Sequence, residues 1–256
     1  MKTEIKEKIT ATNQKYLKKF LSAESGESEV IELESQLEHM DWSYLDMIHN
    51  KEQQRGTFSP LAAMELSEIE ANKDKYLATG LDAVKNGKVG AILLAGGQGT
   101  RLGFDKAKGM FNIGKTKELY IFEQLVANLM KVTNQTGTWV PLYVMTSEIN
   151  DSMTREFFEE HDYFGYNKDY VKFFVQEMVP AVDFDGNLLM KSEDSLAMSP
   201  NGNGGWFKSL INAGLDKDLK DKGVEWLNVF AVDNASADCR SCICRCYNRV
   251  RLCQRL

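Results

Sequence analysis

The chain has 256 residues, 43% hydrophobic and 27% charged, with 10% aromatic residues, 19 glycines and 4 prolines. This composition excludes disorder, collagen and coiled coil, and the length suffices for one large domain or two small ones. A net charge of −6 argues against binding nucleic acid, no apolar run approaches the roughly 18 residues of a membrane helix, and Met1-Lys-Thr-Glu-Ile-Lys6 lacks the apolar stretch of a signal peptide, so a cytoplasmic protein with no membrane partner is expected.

Residues 1–86 read as an N-terminal helical subdomain. Ile5, Ile9, Tyr16, Leu17, Phe20 and Leu21 recur among lysines and glutamates over residues 2–21, and residues 30–37 repeat the pattern more briefly. Ser59 and Pro60 suit the cap and first position of a helix reaching about Leu77, with Gly80 near its end and another turn over 81–85.

Residues 87–234 alternate strand and helix. The run 89–95 is short, apolar and halted by glycines, as a buried parallel strand is. An amphipathic helix over 119–132 follows, then a strand over 140–145, then a helix capped by Ser147 or Asn150 and running to His161. A third strand covers 171–175, helices cover 206–213 and 215–221, and a fourth strand covers 226–232, ending at Asp233-Asn234. The order predicts a doubly wound, mostly parallel α/β sheet of the Rossmann-like kind. Such sheets bind ligands beyond the carboxyl ends of their strands, so chemistry is sought there.

The composition breaks after Asp238. All five cysteines (239, 242, 244, 246 and 253) and five of the eight arginines fall in the last 18 residues, which hold no Lys, Asp or Glu. That segment carries +5 of a net −6, which leaves −11 on the preceding 238 residues. A cysteine-free body rules out the disulfide framework of a secreted miniprotein. Three readings of the segment 235–256 stand side by side: an out-of-frame continuation, a zinc-binding tail with Cys-x-x-Cys-x-Cys-x-Cys spacing, and an arginine-rich arm for an acidic partner. The first is favoured, with the tail expected to be disordered.

The first strand ends in Leu94-Ala-Gly-Gly-Gln-Gly-Thr-Arg-Leu-Gly103. Glycines so dense let consecutive N–H groups face an anion, although a plain strand-to-helix turn would look the same. Counted from its first glycine, the loop has no Gly-Lys-Ser/Thr where a Walker A loop requires it. Counted from Gly97 and Gly99, the dinucleotide fingerprint needs glycine where Leu102 stands. Lys108-Gly-Met-Phe-Asn-Ile-Gly114, Tyr143-Val-Met-Thr-Ser147, Phe173-Phe-Val-Gln-Glu-Met-Val-Pro-Ala181, Ser199-Pro-Asn-Gly-Asn-Gly-Gly205 and Val229-Phe-Ala-Val-Asp-Asn234 follow in order. Together the six segments resemble the UDP-sugar pyrophosphorylase family, over roughly residues 57–234.

The resemblance implies a nucleotidyltransferase that joins UTP and a sugar 1-phosphate (N-acetylglucosamine 1-phosphate or glucose 1-phosphate) into a UDP-sugar, releasing diphosphate. It places the amides of Gly96, Gly97 and Gln98 around the UTP phosphates, with Leu94 and Ala95 as the floor under the uracil. Arg101 and Lys108 would supply positive charge at the reacting phosphorus; read alone, Lys108 would be a solvated lysine beside Lys106. Gln176 offers the donor and acceptor that a uracil edge needs, though any polar strand end would look similar. By the same resemblance Gly202 would permit close approach to the nucleotide, Asn203 would contact the sugar, and Asp233 would hold Mg²⁺, a partner suited to an acid that ends an apolar strand. The histidines (39, 49 and 161) have no metal-ligand spacing.

Two departures from the family carry expectations. Ala107 stands where the family has proline, which frees the backbone before Lys108. The family's sequence also continues past the Val-Asp-Asn strand, with a second acidic metal ligand and a further lysine. The C-terminal part of the family fold is therefore expected to be missing, with an unpaired sheet edge, reduced stability and no turnover by a chain that at most binds UTP. The oligomeric state and the choice of sugar are not legible.

Overall fold

The computed structural model describes residues 1–22, 30–49, 56, 57, 59 and 65–236. The Cys/Arg-rich stretch from residue 237 onward and the expected helix start at Pro60 lie outside the described residues, and Ser59 is in no helix. The chain divides into two compact units, Met1–Leu61 with Met178–Asn201, and Ala62–Glu177 with Gly202–Leu256.

The first unit contains α1 (Thr3–Ala11), α2 (Ile31–His39) and α3 (Ser43–His49), with a 3-10 helix at Lys15–Phe20. The helical pattern over 2–21 is broken because Asn13 takes φ 51°, a left-handed conformation that asparagine tolerates better than most residues. Tertiary bonds set that break. The buried Gln14 accepts from the Leu188 N–H at 2.6 Å and donates to the Gly186 carbonyl at 3.2 Å. Ile5, Ile9, Leu17, Leu33 and Leu37 form this unit's core with Leu188 and Leu196.

The second unit opens with α4 (Leu66–Ala71) and α5 (Lys73–Lys85), separated at Asn72, where φ is −111° and ψ 15°. Gly80, expected near a helix end, is buried inside α5, and Ala83 and Val84 of that helix belong to the core of the sheet. The unit continues with β1 (Val89–Leu94), α6 (Ile121–Thr136), β2 (Leu142–Thr146), α7 (Asp151–Glu160) and β3 (Val171–Val175). The first unit takes β4 (Met178–Pro180) and β5 (Met198–Pro200), an antiparallel pair absent from the sequence pattern. The second closes with α8 (Trp206–Asn212), α9 (Leu215–Asp221) and β6 (Trp226–Ala231).

The four-stranded sheet is wholly parallel, in the order β3-β2-β1-β6. Alternation along β1 sends Ala91 and Leu93 into a core with α6 and α7, and Ile92 and Leu94 into a second core with Leu210 of α8 and Leu219 of α9. Both faces are therefore covered, which is why β1 reads as an unbroken apolar run. Strand order reverses at β1, with β2 and β3 on one side and β6 on the other. The crevice beyond the carboxyl ends of β1 and β6 is the switch point at which such sheets bind ligands. No described helix is long and apolar enough to cross a membrane.

Candidate functional site

The loop after β1 is built by backbone economy. The Ala95 N–H still pairs with the Met145 carbonyl at 2.8 Å, and the chain then leaves the sheet at Gly96. A Cβ at Gly96 would lie 2.7 Å from Oε1 of Gln176, so the glycine makes room for that carboxamide. Gln176 is buried at the end of β3, with its N–H on the Thr146 carbonyl at 2.8 Å. Gly96 and Gln176, 80 positions apart, thus share one corner of the crevice.

Among the described residues, the N–H groups of Gly96, Gly97 and Gln98 donate to no protein acceptor. Consecutive free backbone donors at a strand end are groups that an anion can engage. Among the described residues, no atom lies within 4 Å of where a Gly97 Cβ would be. Gln98 Nε2 and Ser147 Oγ are buried donors that also lack a protein partner.

The loop then folds back on itself through an antiparallel bridge between Gln98 and Ala107. Gly99 N–H donates to the Lys106 carbonyl at 2.9 Å and Lys108 N–H to the Gly97 carbonyl at 3.1 Å. The turn between them uses Gly103 at φ 66°. Ala107 is fully buried at φ −54°, ψ 133°, close to the conformation of proline. The expectation of a loosened backbone is therefore corrected: the bridge holds Ala107 in the geometry that proline would impose. A Cβ at Gly109 would overlap the Phe122 ring of α6, which explains the glycine after Lys108.

Lys108 lies on a one-turn 3-10 helix, Lys108–Met110, with its ammonium on the Asp233 carboxylate. Asp233 follows β6, with its side chain 61% exposed and its carboxylate paired with Lys108. Arg101 is exposed on the 3-10 helix Thr100–Leu102 and forms no ion pair among the described residues. Leu94 and Ala95 are buried on opposite faces of the sheet.

Gly202 has φ 79° and ψ 179°, a conformation that essentially requires glycine, and Asn203 is exposed on the following turn, Asn203–Gly205. Ser209 joins this turn to the end of β3. Its buried hydroxyl donates to the Gly205 carbonyl at 3.1 Å and accepts from the Glu177 N–H at 3.0 Å. Lys208 pairs with Glu177 at 3.2 Å.

Two connecting residues escape a reading of the sequence. Ser209 gives no signal there, and Asn150 signals only a helix start. The spacing Gly109-x-x-x-x-Gly114-Lys115-Thr116 matches a Walker A string, but the structure denies it that role. The loop 113–119 is closed by the Asn112–Tyr120 bridge, Gly114 N–H donates to Asn112 Oδ1 at 2.9 Å, and the next helix begins only at Ile121. Among the described residues, no three His, Cys, Asp or Glu side chains are grouped to hold a metal ion.

Residues 21–249 match the model of the UTP--glucose-1-phosphate uridylyltransferase family. A probable UDP-N-acetylglucosamine pyrophosphorylase of Schizosaccharomyces pombe is 36% identical over 191 residues, 71% of this chain and 40% of that one. A putative UDP-N-acetylglucosamine pyrophosphorylase structure from Entamoeba histolytica is 31% identical with TM-score 0.64, covering 72% of this chain and 48% of that chain. The Trypanosoma brucei uridine diphosphate N-acetylglucosamine pyrophosphorylase, solved with an inhibitor, gives TM-score 0.71 at 26% identity over 93% of this chain and 53% of that one. The chain thus spans about two fifths of the curated relative and about half of each solved chain.

Proposed function

Because the chain belongs to the UTP--glucose-1-phosphate uridylyltransferase family, we propose that the crevice beyond β1 binds UTP and that the protein transfers its uridylyl group to a sugar 1-phosphate. The observation that carries this reading is the run of free amides at Gly96, Gly97 and Gln98 beside the buried Gln176 carboxamide. The amides suit the phosphates, and Gln176 suits the uracil edge, over a floor of Leu94 and Ala95. Gly202 lies against the nucleotide and Asn203 meets the sugar. Relatives named for UDP-N-acetylglucosamine favour N-acetylglucosamine 1-phosphate, with glucose 1-phosphate the alternative.

A sugar-phosphate oxygen attacks the α-phosphorus of UTP, a new O–P bond forms, the α–β anhydride bond breaks, and diphosphate leaves. Alignment and charge neutralisation suffice for this, with Arg101 and Lys108 meeting the negative charge. Asp233 would hold Mg²⁺: one carboxylate completed by substrate phosphates is a set that Mg²⁺ accepts, whereas Asp233 without a nucleotide makes no metal site. Bound there, the ion would neutralise phosphate charge.

The test is diphosphate release from UTP by the full chain with each sugar 1-phosphate and with neither. Release that depends on the sugar phosphate, greater with the acetamido sugar, is the result that transfer requires, and it would overturn the expectation from the sequence that this chain does not turn over. A second reading is nucleotide binding without transfer, with Asn203 the one residue proposed here for the sugar. Saturable UTP binding with no release would select it, and absence of both would overturn the two together.

A further inference from the structure

The N-cap position of α7 is Asn150, yet its side chain does not cap α7. An asparagine at this position ordinarily accepts from the second or third amide of its own helix. Here the carboxamide is fully buried and turned to other work. Oδ1 accepts from the Ser147 N–H at 2.8 Å, while Nδ2 donates to the carbonyl of Ala95 at 3.0 Å and reaches that of Gly97 at 3.5 Å. The helix start is held instead by backbone, with the Asn150 and Asp151 N–H groups on the Ser147 carbonyl at 3.0 and 2.9 Å.

In a trans peptide the carbonyl and the following N–H point in opposite directions within one plane. A donor that holds the Ala95 carbonyl therefore turns the Gly96 N–H away from itself, and one on the Gly97 carbonyl does the same for the Gln98 N–H. Those are two of the three free amides of the loop. The Gly97 carbonyl also accepts from the Lys108 N–H, so the same group reaches the backbone of the lysine turn.

We infer that Asn150 is a positioning residue: from α7 it orients the Gly96 and Gln98 amides toward the phosphates of the nucleotide. The inference rests on the proposed UTP site and adds a residue to it. Only a carboxamide supplies an acceptor for Ser147 and donors for two carbonyls. In Asn150→Asp the size and the acceptor survive, but a carboxylate oxygen faces two carbonyl oxygens. In Asn150→Ala both sets of bonds disappear.

The experiment has two arms on the full chain. Without nucleotide, amide ¹H–¹⁵N spectra of the wild type, Asn150→Ala and Asn150→Asp are compared. Loss of the bonds to the Ala95 and Gly97 carbonyls is expected to shift the Gly96 and Gln98 amides in both variants. Unmoved resonances overturn the inference whether or not UTP binds. In the second arm, UTP and uridine are titrated by calorimetry. Both variants are expected to weaken UTP binding about tenfold, the size of one lost hydrogen bond, while uridine affinity stays within about twofold. Equal loss of UTP and uridine affinity would mark a merely structural residue and overturn the inference. A wild type that binds neither ligand overturns the UTP site, and the role toward phosphates falls with it, even where the first arm shows the shifts.

Discussion

The ammonium of Lys108 rests on the carboxylate of Asp233, joining residues 125 positions apart across the switch point of the sheet. The contact follows from topology. β1 and β6 are neighbours in register, Leu94 beside Ala231, and the ladder continues with the Val232 N–H on the Leu94 carbonyl at 3.0 Å. The loops leaving those two strands must therefore meet. With side chains 28% and 61% exposed, the pair is well screened by solvent and contributes less than about 1 kcal/mol to the fold.

A double-mutant cycle on Lys108→Ala and Asp233→Asn checks this. Denaturant unfolding without nucleotide is expected to give a coupling energy below about 1 kcal/mol. Lys108→Ala should nevertheless weaken UTP binding by tenfold or more, since a charge facing phosphate is lost. A large coupling energy with intact UTP binding would reassign the pair to the stability of the fold.

Ala107→Pro is expected to stabilise the protein by about 0.4–1 kcal/mol, because the residue already holds a proline-like conformation and the unfolded chain loses freedom. Its own N–H takes no part in the bridge, whose two bonds run from Gly99 N–H to the Lys106 carbonyl and from Lys108 N–H to the Gly97 carbonyl, so no bond is lost. Thermal melting of the two chains decides the matter, and a lower midpoint would show that the buried pocket has no room for the ring.

Much of this architecture is legible in the sequence, and the limits have physical causes. The four sheet strands and the helices α6 to α9 follow from apolar runs and helical periodicity, since local burial imprints local pattern. The pair β4 and β5 does not, because two three-residue strands, each with a proline, have no alternation to read. The interruption at Asn13 was equally hidden, as it depends on Gln14 reaching Gly186 and Leu188, more than 170 residues away. At the site, the glycine loop, Lys108, Gln176 and Asp233 stand out as motif residues. The Gly96–Gln176 corner, the Ser209 bridge and the turning of Asn150 from its helix to the loop are tertiary facts with no sequence signature.

Tyr143 gives a prediction in pH. Burial, together with the Asp218 carboxylate that accepts its hydroxyl at 2.6 Å, raises its phenol far above the ordinary value of 10. A raised folded-state value means that the stabilisation is complete below pH 10 and is lost as pH rises above it, where the unfolded chain releases a proton that the folded one keeps. Urea unfolding of the wild type should therefore weaken more steeply between pH 9.5 and 11 than that of Tyr143→Phe. Parallel slopes would show that the phenol ionises freely in the folded protein.

The most direct test of the account is UTP binding by Gly97→Ala. An added Cβ there meets no atom of the described residues within 4 Å, and φ lies outside the left-handed range, so the fold accepts the substitution with unchanged or slightly higher stability. The space that the methyl fills is the space assigned to phosphate. An unaltered thermal midpoint is expected, with UTP affinity reduced at least tenfold relative to the wild type by calorimetry. Equal UTP affinity in the two chains would contradict it and remove the glycine loop from the nucleotide site.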